Sequence, residues 1–288
     1  MSEVKRAAPL PVLFAKAIVT SRFGGTTLPA DGGRLTLESV ALDNDRLDDY
    51  QKVCGFRISD AVPSTFLHVL AFPLATEIMA SRQFPLPLVG LVHVENRIEQ
   101  LRQVFRGEQV TLDVHAANLR PHRVGRQVDL VTEVRVGAEV VMRETSTYLR
   151  REPTSGGAAE SRPAASPSDA TPVVPVAEVQ WRLPADTGRR YAGVSGDVNP
   201  IHLSNLSAKA LGFPRAIAHG MFVAARTISA LEYRLPASYL HEVSFKKPVL
   251  LPATVRFSAR AVDAGWHLAI DGVKKPTPHL TGSLTTLP

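Results

Sequence analysis

The sequence predicts an α+β protein built from two similar halves, and three observations carry that prediction. Each half opens with an apolar helical segment and continues as a run of β-rich stretches, an order that suits antiparallel strands over a helix and not a βαβ alternation. A segment poor in apolar residues separates the halves. The strand patterns also repeat loosely: Val110, Leu112 and Val114 alternate as Val255, Phe257 and Ala259 do, the period of half-buried strands. Matching Val110 to Val255 gives an offset of 145 residues, and Val94 to His241 gives 147, which points to internal duplication.

In chain order, the first 23 residues hold no continuous apolar core of signal-peptide length. The stretch Val62–Ala80 is nearly long enough to span a bilayer, but His68, Pro73 and Glu77 interrupt it. It reads as a buried helix over Ser64–Ser81, and no membrane span is expected. Strands follow at Leu88–Ile98, Gln109–Ala116 and Gln127–Val136, the last turning at Gly137-Ala138 into Val140–Leu149. Residues 151–172, REPTSGGAAESRPAASPSDATP, cannot bury enough apolar area to offset their ordering entropy and read as a mobile linker. They divide an N-terminal domain, 1–150, from a C-terminal domain, 173–288. In the second domain Ser204 or Asn205 can cap a short helix that reaches Leu211 before Gly212 and Pro214 end it. A longer helix over Gly220–Arg234 precedes strands at Tyr239–Phe245, Thr254–Val262, Trp266–Ile270 and Leu280–Thr286.

Composition narrows the function. An apolar share of 44% with 21% charged residues excludes wholesale disorder. A single cysteine, Cys54, excludes an internal disulfide framework and a cysteine-based zinc site, and fits a reducing, cytoplasmic setting. The net charge of +6 invites a nucleic-acid reading, yet the arginines are scattered and no run of like charges exists, so no nucleic-acid partner is expected. Residues 1–150 hold 18 basic against 17 acidic residues, while 151–288 hold 15 against 10. The positive excess therefore lies in the second half, where it suits a polyphosphate-bearing ligand.

One stretch carries chemistry: the 31 residues from Tyr191 to Met221. Ser195 to Pro200 reads as a loop, with Gly196 free to take unusual dihedrals and Pro200 pushing Asn199 away from helix. Asp197 and His202 lie five residues apart across that turn, where a carboxylate and an imidazole could hold one water molecule. The turn Ala218-His219-Gly220-Met221 then opens a helix whose N-terminal N–H groups can stabilise a developing oxyanion, and Gly220 has no Cβ to obstruct a carbonyl. Each part has an ordinary explanation alone: an Asx turn, a packed histidine, a turn glycine. Their joint occurrence at these spacings is what points to an acid/base pair facing an oxyanion hole.

The same residues resemble a family signature. Tyr191-Ala192, Ser195-Gly196-Asp197, Asn199-Pro200-Ile201-His202, Ala208, Phe213 and Ile217-Ala218-His219-Gly220-Met221 look like the motif of MaoC-like, (R)-specific enoyl-CoA hydratases. More than a dozen positions agree in order and spacing across the second half. The first half resembles the family in its layout, and the whole chain looks like the two-domain hydratases and 3-hydroxyacyl-thioester dehydratases.

The resemblance implies a double hotdog, two tandem domains in which an antiparallel sheet wraps a long helix. It implies a hydro-lyase of fatty acid metabolism acting on an acyl-CoA or acyl-carrier-protein thioester, with Asp197 and His202 as the acid/base pair and Gly220 binding the thioester oxygen. Ser195, Asn199 and His219 are supporting candidates; Arg189, Arg190, Arg215, Lys246 and Lys247 are candidates for the phosphates of coenzyme A. Neither a metal nor a cofactor is expected, and pairing of the whole chain as a homodimer stays open. The first half departs from the motif: around Tyr50–Phe56 and Asp60–Pro63 no histidine follows at the required spacing, and His68 falls inside the helix. That half is expected to be non-catalytic, with Pro73 either opening room for a long or bulky acyl chain or standing as a tolerated kink. The competing readings are an acyl-CoA thioesterase and a non-catalytic acyl-thioester-binding scaffold.

Overall fold

The computed structural model describes residues 27–88, 90–152 and 176–287. Its frame is one ten-stranded antiparallel sheet. The N-terminal half supplies β1 (Leu35–Ala41), β3 (Leu91–Gln100), β5 (Gln109–His122), β6 (Gly125–Val136) and β7 (Glu139–Arg151). The C-terminal half supplies β8 (Val176–Leu183), β9 (Tyr239–Phe245), β10 (Ala253–Val262), β11 (Gly265–Gly272) and β12 (Pro278–Thr286). The order β1-β5-β6-β7-β3-β9-β12-β11-β10-β8 places equivalent strands at equal distances from the central β3–β9 pair. There Asn96 faces Val243 and Arg97 faces Glu242, residues 147 and 145 apart, so the antiparallel register accommodates both sequence offsets. A small ladder of β2 (Ala61–Val62) on β4 (Val104–Phe105) in the first half matches the single bridge Ile217–Leu250 in the second.

Six helices and one 3-10 turn lie over the sheet among the described residues: α1 (Asn44–Cys54), α2 (Ser64–Met79), α3 (Thr187–Ser195), α4 (Pro200–Leu203), α5 (Asn205–Ala210) and α6 (Gly220–Leu231), with the turn Glu232–Arg234 extending α6. The central helices α2 and α6 differ in character. Nearly every face of α2 is buried, as its uniformly apolar sequence demands, and the helix runs unbroken through Pro73. Proline takes an N–H from the ladder, and Thr76 caps the neighbouring Phe72 carbonyl at 2.9 Å. No helix among the described residues is long and apolar enough to cross a membrane.

Sequence reading missed β1, β8, α1, α3, the short strands β2 and β4, and the one-turn helix α4, which begins at Pro200 where a loop was expected. The signals for α1 were present. Asp43 accepts the Arg46 N–H as N-cap, Gly55 closes the helix in the left-handed conformation, and Leu47, Tyr50, Gln51 and Cys54 bury one face. Two boundaries move. Ser195 ends α3 and only Gly196 begins the loop. Arg151, the first residue of the expected linker, is the last residue of β7, and Glu152 beside it is gripped by Arg126. The rest of that linker lies outside the described residues.

Candidate active site

The site forms where α3 ends. Gly196 caps that helix at φ 78° and ψ −2°, a left-handed conformation that turns Asp197 out of the helix line. Asp197 then anchors its own loop: its N–H donates to Ser195 Oγ at 3.1 Å, and its Oδ1 accepts from Asn199 N–H at 3.2 Å. Asn199 in turn caps α4 through Ile201 N–H at 3.3 Å, with Pro200 at the first helical position. His202 rides on that turn of helix, and Gly188 of α3 lets it sit close. A Cβ at Gly188 would lie 2.0 Å from the His202 carbonyl oxygen. The remaining connection is stitched back by Ile217 N–H to the Ile201 carbonyl (3.1 Å) and Ala216 N–H to Asn205 Oδ1 (3.0 Å).

These bonds fix the histidine tautomers. His202 Nδ1 lies 2.9 Å from the Ile217 carbonyl and must donate to it, which leaves Nε2 as the basic nitrogen. His219 uses Nε2 to donate to the Asp197 carbonyl at 2.9 Å, and its ring stacks on His202 with centroids 3.6 Å apart. Burial pushes the His202 pKa down, against the opposing pull of Asp197, and drives that of His219 far down. Burial raises the Asp197 pKa, with His202 partly offsetting it. The Asp197 side chain nevertheless keeps 22% of its surface exposed, so the carboxylate faces an opening.

One ring nitrogen each of His202 and His219 and a carboxylate oxygen of Asp197 lie within 4.8 Å of one another, a span that one water molecule bridges. The same cluster could be read as a metal site. His219 donates from Nε2 to the Asp197 carbonyl, which leaves its Nδ1, without a partner among the described residues, as that ring's acceptor nitrogen.

Sequence reasoning placed Gly220 at an oxyanion hole because it lacks a Cβ. It is the first residue of α6, behind His219 as N-cap, where helix N–H groups lack intrahelical acceptors. The missing Cβ is accounted for differently: it would meet the Phe245 ring at 3.1–3.3 Å, so the glycine makes room for a neighbour from β9. The five candidates for phosphate contact are all exposed but stand on three segments: Arg189 and Arg190 on α3, Arg215 ahead of α6, and Lys246 and Lys247 after β9. Arg189 donates to the Leu203 carbonyl at 3.1 Å. Among the described residues no hydrogen bond joins the five into one site.

One residue at the site was not foreseen. Arg46, on α1 of the first half, donates through Nε to the Val194 carbonyl (2.9 Å) and through Nη2 to the Ser195 carbonyl (3.2 Å). It thereby clamps the negative end of α3 immediately before Asp197. Tyr50 and Tyr191, which occupy matching places on α1 and α3, face one another beside it at 6.1 Å.

Several known proteins are similar to this chain. The model of the MaoC-like domain matches residues 163–279. A 3-hydroxyacyl-thioester dehydratase X of Mycobacterium tuberculosis is 39% identical over 253 residues, covering 88% of this chain and 89% of that protein. The chain belongs to the MaoC-like dehydratases. Members of this family are hydro-lyases, and the chain is an enzyme of that class. A crystal structure of HtdX from M. tuberculosis superposes with a TM-score of 0.76 at 37% identity, covering 88% of this chain and all of that one. A second M. tuberculosis protein, described as a double hotdog, has the same fold at 14% identity, with a TM-score of 0.54 over 90% of this chain and 96% of its own. The MaoC-like dehydratase therefore has the double-hotdog α+β architecture that its motif implied.

Proposed function

We propose that this MaoC-like dehydratase interconverts trans-2-enoyl thioesters and (R)-3-hydroxyacyl thioesters in fatty acid metabolism, with Asp197 and His202 as the acid/base pair. The observation that carries the proposal is the pairing of a partly exposed Asp197 carboxylate with a His202 ring whose Nδ1 is committed to a carbonyl and whose Nε2 is free. A water held between them adds its oxygen to the β-carbon, and a proton is delivered to the α-carbon on the same face. Negative charge that develops on the thioester oxygen is met by the N–H groups at Gly220. Dehydration is the reverse, and atoms balance without a metal or redox partner. Ser195, Asn199 and His219 hold the pair in place, and the name of the 3-hydroxyacyl-thioester dehydratase relative supports the substrate class. Coenzyme A or a carrier protein would bring the acyl group, with the exposed Arg189, Arg190, Arg215, Lys246 and Lys247 available to its phosphates.

The test is a spectrophotometric assay of enoyl-CoA hydration over several chain lengths, with chiral analysis of the product. Loss of enoyl absorbance with an (R)-3-hydroxyacyl product is expected. Release of free thiol together with a 2-enoic acid would instead identify a thioesterase, and the (S) product would overturn the facial assignment.

A further inference from the structure

Near the active site, the first half presents a wall of buried polar side chains. On the inward faces of β3 and β7, His93 pairs with Tyr148, Asn96 with Ser146, and Ile98 with Glu144. His68 of α2 completes the cluster, with Nδ1 2.6 Å from Glu144 Oε1, the oxygen that also accepts from Asn96 and Ser146. Ring contacts carry this wall to the active site. His93 lies 6.4 Å from His68, 4.7 Å from Tyr148 and 5.1 Å from Phe245, the ring that covers Gly220. The electrostatics are continuous as well: after burial, Asp197 and then Glu144 push the Tyr148 pKa upward, and the field of His68 is felt at Asp197.

Three buried atoms of this wall have no hydrogen-bond partner among the described residues: Glu144 Oε2, Asn96 Oδ1 and His93 Nε2. The first two can only accept. Burial opposes the charge of Glu144, yet His68 and the bonds from His68 and Asn96 outweigh it and hold its pKa below the ordinary range, so the orphan oxygen belongs to a carboxylate. Burial holds His93 neutral, its pKa pushed down to about 3. An alkyl chain laid against these atoms would strip them of hydrogen bonding and supply none.

We propose that the His68–Glu144–Asn96 cluster selects acyl thioesters whose acyl chain carries a hydroxyl group beyond the reacting carbons, a donor that Glu144 or Asn96 accepts. This specificity rests on the hydration reading above. It assigns the first half a recognising role where sequence reasoning expected added room for a bulky chain.

The test compares 5-hydroxypent-2-enoyl-CoA with hex-2-enoyl-CoA, in which a methyl replaces the hydroxyl, and repeats the pair at longer chain lengths. A kcat/KM about tenfold higher for the hydroxylated member is expected in at least one pair, the size of one well-formed buried hydrogen bond. His93→Phe and Glu144→Gln should shrink that ratio towards unity. Equal kcat/KM within every pair for the wild-type enzyme overturns the inference while leaving hydration intact, whatever the variants do. Hydration of neither member of any pair overturns the functional reading and this inference with it.

Discussion

Both halves of this dehydratase pass from a short helix with a left-handed glycine cap to a central helix, but over different lengths. In the first half the path from Gly55 to Ser64 takes nine residues; in the second, from Gly196 to Gly220, it takes 24. After the glycine the first half buries Phe56, whereas the second turns out Asp197. The short connection is closed by Gln51, whose side chain bonds Ser59 and Ala61, and by the β2–β4 ladder. The long one holds α4, with His202, and α5. Counting back from the capping glycines pairs Gly188 with Leu47. Leu47 is fully buried, while Gly188 leaves a gap that the His202 backbone enters. One scaffold thus takes two courses after the same glycine cap, and at this end of the halves the difference lies in the connection and the helix position beneath it.

The sharpest break of this comparison is to mutate equivalent places in the two connections. Asp197→Asn or His202→Ala should lower kcat by about two to four orders of magnitude, the usual worth of a positioned acid or base. Phe56→Leu should change kcat less than about twofold while lowering unfolding stability by about 1 kcal/mol, since it removes buried volume only. Steady-state kinetics beside denaturant melts checks both. Near-normal turnover in either site variant would sink the acid/base assignment.

Next in size is a contact through which the first half reaches the Asp197 loop of the second. Arg46→Ala frees two carbonyls at the end of α3 and lets the Asp197 loop drift. Charge-assisted bonds of this kind are worth about 1.5–3 kcal/mol, so kcat should fall about 10- to 100-fold. Arg46→Lys, which can make one of the two bonds, should recover part of the loss. A fall in melting temperature with kcat unchanged would reduce Arg46 to packing.

The pH profile separates the halves more gently. In the proposed mechanism the reacting form has Asp197 ionised and His202 neutral. Burial raises the first pKa above its ordinary 3.8 and lowers the second below 6.5, so acid quenches Asp197 at a higher pH than it would an exposed aspartate. On the acid side kcat/KM should drop about tenfold per pH unit, and no loss should occur as pH rises through 6.5, where His202 is already neutral. An acid limb at or below 3.8 would contradict the buried geometry. Phe56→Leu should leave the limb where it is.

Much of this was legible in the sequence because it is local. The strand alternation, the capped helix after Ser204 and the spacing of Asp197 and His202 each rest on neighbours in the chain. What escaped depends on distant partners. Arg46 reads as an ordinary surface arginine of α1 until α3 is docked against it. The Gly220 Cβ is excluded by Phe245, 25 residues on, and the Glu144 orphan oxygen is visible only once β3 and β7 pair. The edge strands β1 and β8 fell outside the duplicated helix-then-strand pattern because each precedes its helices.

The smallest expected effect tests where the first half ends. Arg126 grips Glu152 with two nitrogens at 2.8–2.9 Å, and both side chains are about one-third exposed. The hydrogen bond from Arg126 lowers the Glu152 pKa below 4.5. A depressed folded pKa means that stability is fully present above the unfolded value and is lost as pH falls through the folded one. Arg126→Ala should therefore destabilise the protein by less than about 1 kcal/mol at neutral pH, the range of an exposed pair. The difference should fade in melts taken well below pH 4.5. Because this pair only ties the start of β6 to the end of β7 in the first half, kcat should be unchanged. A loss of activity in Arg126→Ala would show that the end of β7 is coupled to the catalytic connection, and the division of labour between the halves would fail.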